Sequence, residues 1–155
     1  MDEAKNREMD EQRKLAVQLF NETWSYLDLE ERTKADDDRM LSASFASRYH
    51  WEKVGTKLNV ARGEWQISRV FAVLKRPEGA LYHAKRCIEL SNEVGSECAD
   101  YDLPFAYEAA ARACDLTGDN DGYEKYLALA TQAGEQIEKQ DDRDYFFSEL
   151  NSIRP

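Results

Sequence analysis

ISRVFAVLKRPEGALYHAKRC (residues 67–87) and AARACDLTGDNDGYEKYLALA (residues 110–130) decide the fold. Laid over each other at an offset of 43 residues, they keep the same intervals between their small and apolar positions. Ile67, Ser68 and Phe71 fall on Ala110, Ala111 and Cys114, and Ala80, Ala84 and Cys87 fall on Tyr123, Leu127 and Ala130. Each stretch has an apolar or small pair, a larger side chain three residues on, then a turn. Small or apolar residues follow at steps of four and three, the spacing of one helical face. Small side chains on facing helices permit close approach, so each stretch predicts two helices packed against each other.

This pattern resembles the tetratricopeptide (TPR) repeat, in which small residues of a first helix pack on small residues of a second. The resemblance spans residues 62–138. The second stretch has the glycine turn the pattern favours, at Gly118, whereas the first has Lys75 and a proline turn. The offset exceeds the usual repeat of about 34 residues. Tyr123 also stands where a small residue is usual. The resemblance implies an all-α fold, with antiparallel helix hairpins stacked as a short right-handed superhelix of about seven helices. Residues 1–155 then form one domain: a degenerate first hairpin over 1–56, a second over 57–96, a third over 101–139 and a capping helix over 141–153.

Working outward, helical periodicity places helices over 3–32, 39–54, 58–75, 78–94, 103–117, 123–139 and 142–153. Asp36, Asp37 and Asp38 are read as caps of the second helix and Asp102 as the cap of the fifth, with Pro104 harmless in its first turn. Gly55 is read as a left-handed residue after the second helix. Phe146, Leu150 and Ile153 are expected to cover the last exposed face.

Composition limits the function. A net charge of −10 and a pI near 4.7 oppose phosphate backbones, so nucleic acid is not an expected partner. No apolar run approaches the roughly 18 residues of a membrane helix, and the charged start lacks a signal-peptide pattern. The three cysteines, Cys87, Cys98 and Cys114, lack metal-ligand spacing and read as reduced thiols of a cytoplasmic protein with no metal and no cofactor. No nucleophile elbow, phosphate loop or HExxH motif occurs.

Candidate site residues follow from the resemblance, which points the first helix of each pair into a concave groove. There Arg62, Trp65 and Arg69 lie away from Ile67 and Phe71, and Glu108 and Arg112 occupy the matching face of the fifth helix. Arg48 and Trp51 share a face on the second helix. Guanidiniums beside an indole suit a carboxylate and a flat group. The expectation is a scaffold, not an enzyme, that binds a protein, peptide or acidic ligand. Two alternatives stand beside it. One is a small helical enzyme or ligand sensor using His50 or His83; the other is a homo-oligomeric assembly subunit, such as a homodimer.

Overall fold

The computed structural model describes residues 2–155. Seven α-helices and one 3-10 turn make up all its regular structure, and no strand occurs among the described residues. The helices are α1 (Asp2–Leu27), α2 (Lys34–Val54), α3 (Lys57–Val73), α4 (Pro77–Val94), α5 (Asp102–Thr117), α6 (Asn120–Gly134) and α7 (Gln140–Asn151). Helix α1 packs on α2, α3 on α4 and α5 on α6. Helix α2 also touches α3, α4 touches α5, and α7 lies on α5 and α6. The odd-numbered helices meet in succession: α1 on α3, α3 on α5, α5 on α7.

Small side chains set these contacts. Ala80, Ala84, Ala106, Ala110, Ala111 and Ala113 are all fully buried where α3, α4, α5 and α6 converge. Ser68 is buried too, and its hydroxyl donates to the Ala80 carbonyl oxygen at 2.7 Å, tying α3 to α4. Ser47 does the same between α2 and α1, donating to the Ala16 carbonyl at 2.7 Å. At the C-terminal end Phe146, Leu150, Ile137 and Ala130 form one cluster, with Phe105, Leu127 and the partly buried Ile153 packed against it.

The two matching stretches turn in the same way. Lys75 and Gly118, 43 residues apart, are both left-handed, with φ of 59° and 75°. The next amide in each turn reaches back five residues: Arg76 N–H donates to Phe71 O at 2.9 Å, and Asp119 N–H to Cys114 O at 3.0 Å. Gly79 lets α4 approach the Phe71 ring, because a Cβ there would lie 2.7 Å from it. Gly122 plays the matching part against the Cys114 sulfur, 2.8 Å from its own would-be Cβ.

Several local expectations need correction. Helix α1 ends at Leu27 and α6 at Gly134, each about one turn before the expected boundary, and Ile137 is buried in the following turn. Helix α2 starts earlier, because Thr33 caps it. The Thr33 hydroxyl accepts from Asp36 N–H, and the Asp36 carboxylate accepts from Thr33 N–H. Gly55 is extended (φ −98°, ψ −167°), not left-handed. Tyr101 precedes α5 as its capping residue, which frees Asp102 for another task.

Candidate functional site

Helices α1, α3, α5 and α7 enclose a cleft of about 280 Å³. Phe20 and Trp24 come from α1, Ala61, Arg62 and Trp65 from α3, Asp102 and Phe105 from α5, and Tyr145 from α7. Cys87 and Ser91 of α4 and Tyr101 before α5 complete the wall. The aromatic rings run in a chain across the helices. Trp24 and Trp65 have centroids 5.7 Å apart, Trp65 and Phe105 5.9 Å, and Phe105 and Tyr145 6.0 Å. Such separations fall within the range of favourable aromatic pairs. Tyr145 and Tyr101, both in the wall, stay exposed at 58% and 37%, so the cleft reaches solvent. Cys87, at the buried side, has its thiol pushed up to about 12 by burial, and it is no nucleophile at neutral pH.

Of the seven residues singled out by sequence, Arg62 and Trp65 line this cleft. Arg62 binds Asp102 with two of its three guanidinium nitrogens, Nε to Oδ1 and Nη2 to Oδ2, each at 2.9 Å. Its guanidinium also lies 5.8 Å from the Tyr101 ring. Asp102 in turn accepts from Ala99 N–H at 2.7 Å, so the pair staples α3 to the entry of α5.

Arg69, Glu108 and Arg112 gather beside the cleft in an ion knot. Glu108 is fully buried. Arg112 donates to Glu108 Oε1 from Nε at 2.9 Å and from Nη2 at 2.6 Å. Arg69 reaches Glu108 Oε1 at 3.4 Å and Glu149 of α7 at 3.2 Å, and it lies over the Trp65 ring at 5.6 Å. Arg112 also donates to the Glu149 carbonyl and the Ser152 hydroxyl.

Arg48 and Trp51 lie elsewhere. Trp51 packs by Arg13 of α1, 5.9 Å from the guanidinium. Arg48 Nε donates to Glu64 Oε1 at 2.9 Å, and its Nη1 pairs with Glu52 at 3.2 Å. Every arginine expected to meet a ligand carboxylate therefore already holds a carboxylate of this chain. Spacing along one helix gives no view of a partner 40 residues away, as between Arg62 and Asp102.

Sequence reasoning passed over Glu64, which is buried in α3 at 3% exposure. Its second oxygen accepts from His83 Nδ1 of α4. Burial pushes the Glu64 carboxyl up, but His83 and Arg48, through hydrogen bonds and charge, outweigh it and hold the carboxyl below its ordinary value. His50 sits apart, with Nδ1 buried and unbonded and the ring edge-on to Tyr49. Among the described residues no group of three or more His, Cys, Asp or Glu side chains is placed to hold a metal, and no helix is long and apolar enough to cross a membrane. All three cysteines are free.

No family model matches the chain, and neither a curated protein nor a solved structure matches it.

Proposed function

We propose that the chain is a helical-repeat recognition module, and that the cleft between α1, α3, α5 and α7 takes one or two apolar or aromatic side chains of a protein segment. The observation that carries this reading is an aromatic wall contributed by all four odd-numbered helices, whose flanking charges are already neutralised within the chain. Size supports a side chain over a large cofactor. The cleft's 280 Å³ falls just below the roughly 300–1,000 Å³ of sites for drug-sized ligands. Paired arginines favour an apolar anchor over the acidic one that sequence suggested, since a ligand carboxylate would have to displace Asp102 or Glu108.

The repeat reading supports the placement. We take residues 1–56, 57–96 and 101–139 as three helix pairs and 141–153 as a cap, stacked as a short right-handed TPR-like superhelix. The matching left-handed turns at Lys75 and Gly118, and the successive contacts of the odd-numbered helices, fit a stack whose first helices share one face.

Selection of random twelve-residue peptides against the intact chain tests the reading. Enriched sequences should centre on Trp, Phe, Leu or Met, and their binding should alter the emission of Trp24 and Trp65. Tyr145→Arg, at an exposed lining position, should cut affinity about tenfold or more, the scale of a lost interface anchor. Enrichment of acidic peptides without apolar anchors, or affinity unchanged by Tyr145→Arg, would refute it.

A further inference from the structure

His83 stands outside the cleft just described, on the opposite partner of α3. Its imidazole is held on three sides. Phe71 of α3 stacks on it at 5.6 Å with planes 9° apart, and Phe45 of α2 meets it edge-on at 5.4 Å. Glu64 accepts a hydrogen bond from Nδ1–H, and Glu64 is itself fixed by Arg48. A carboxylate on one ring nitrogen sets the tautomer and orientation of the ring. The other nitrogen, Nε2, has no partner among the described residues, and it is not among the sealed polar atoms.

That nitrogen belongs to a side chain lining an open cleft at the α3–α4 turn. The other walls are Phe71, Arg76, Pro77, Glu78, Gly79 and Tyr82. Tyr82 is 62% exposed and edge-on to His83 at 5.0 Å. Arg76 is exposed and makes no side-chain hydrogen bond or ion pair among the described residues, unlike Arg48, Arg62, Arg69 and Arg112. The facing charges are Glu64 of α3, Arg48 of α2 with Glu52 behind it, and Glu78 and Arg86 of α4, the last paired with Glu89. Arg76 is the one cation lining the cleft, and a fixed imidazole and two aromatic rings stand beside it.

We propose that this cleft is a second binding site, for a small aromatic anion. Its carboxylate or phosphate pairs with Arg76 and accepts a hydrogen bond from Nε2–H of the doubly protonated His83 ring, the form a bound anion selects, and its ring lies against Phe71 and Tyr82. The buried Glu64–Arg48 pair acts as a positioning device that holds the imidazole ready, which lowers the ordering cost of binding. The site is independent of the peptide cleft, so loss of either leaves the other standing.

The probes are phenyl phosphate, benzoate, inorganic phosphate and benzyl alcohol, titrated into the full chain while the His83 and His50 ring resonances are followed by NMR. Phenyl phosphate or benzoate, or both, should shift His83 saturably and leave His50 still. Which of the two binds tighter identifies the anion. Inorganic phosphate and benzyl alcohol should bind about tenfold more weakly or worse, each lacking one half of the recognition. Arg76→Ala removes only an exposed side chain and should weaken the aromatic anion about tenfold with the fold intact. His83→Gln should weaken it too, read by the Tyr82 resonances. No saturable shift of His83 with either aromatic anion, equal binding of benzyl alcohol, or unchanged affinity in Arg76→Ala would overturn the proposal.

Discussion

Glu108→Ala should cost about 3 kcal/mol of folding stability, although it deletes no apolar contact of the main clusters. Glu108 has 0% side-chain exposure, while Arg69 and Arg112 keep 16% and 19%. Among the described residues, Glu108 is the only carboxylate that both arginines share. Without it Arg112 keeps only the Glu149 carbonyl and the Ser152 hydroxyl, and Arg69 keeps Glu149. Removing one member of a buried pair typically costs about 3–5 kcal/mol, because the remaining charge stays desolvated. Partial exposure of both arginines admits some water, which places the loss at the lower end. For a urea m-value of about 2 kcal/mol/M the midpoint should fall by about 1.5 M, read by helical circular dichroism. The triple variant Arg69→Met, Glu108→Leu, Arg112→Met should recover most of the loss, since apolar replacement of a whole ion cluster is often neutral. A Glu108→Ala loss below about 1 kcal/mol, or a triple variant less stable than the single, would refute the argument that desolvated charge governs this knot.

Lys75→Gly should stabilise the chain by up to about 1 kcal/mol, because a left-handed non-glycine residue carries roughly 1–2 kcal/mol of strain that glycine's extra chain entropy only partly offsets. Urea denaturation reads it, and a lower midpoint would contradict the turn geometry. For pH, the folded Glu64 carboxyl titrates below its ordinary value of 4.5, so its contribution is complete above that value and drains away as pH falls through the folded one. The stability gap between the native chain and Glu64→Gln should therefore narrow below about pH 4.5; a gap that widens on acidification would reverse the assigned sign.

The helix order was readable because packing leaves a compositional trace: Ala80, Ala84, Ala110 and Ala111 must be small where helices approach closely, and nothing else explains their spacing. The turn at Gly118 was readable for the same kind of reason, since its left-handed backbone favours glycine. Its counterpart at Lys75 was not, because lysine gives no sign of tolerating that conformation. Helix ends near Leu27 and Gly134 escaped notice because periodicity runs through them and no proline stops the chain. At the site, Trp65 could be placed on a face, but Trp24, Tyr145 and the charge partners could not. Asp102 looks like a helix cap in sequence, and only the fold brings it onto Arg62. Glu64 looks like a surface residue, and its burial depends on Arg48 and His83, 16 and 19 positions away.

The internal pairing of Arg48, Arg62, Arg69 and Arg112 bears on how a partner would arrive. Short-range ion pairs cancel each other's field within a few ångströms, so the aromatic cleft has no cation free to draw an oppositely charged segment from a distance. The chain's net −10 then resides on its outer surfaces, where it repels acidic molecules in general. Encounter at the cleft should run near the unsteered rate of about 10⁵–10⁶ M⁻¹s⁻¹, with weak dependence on ionic strength. Selectivity for one segment over another would reside in residence time, set by how well its ring fits among Trp24, Trp65, Phe105 and Tyr145.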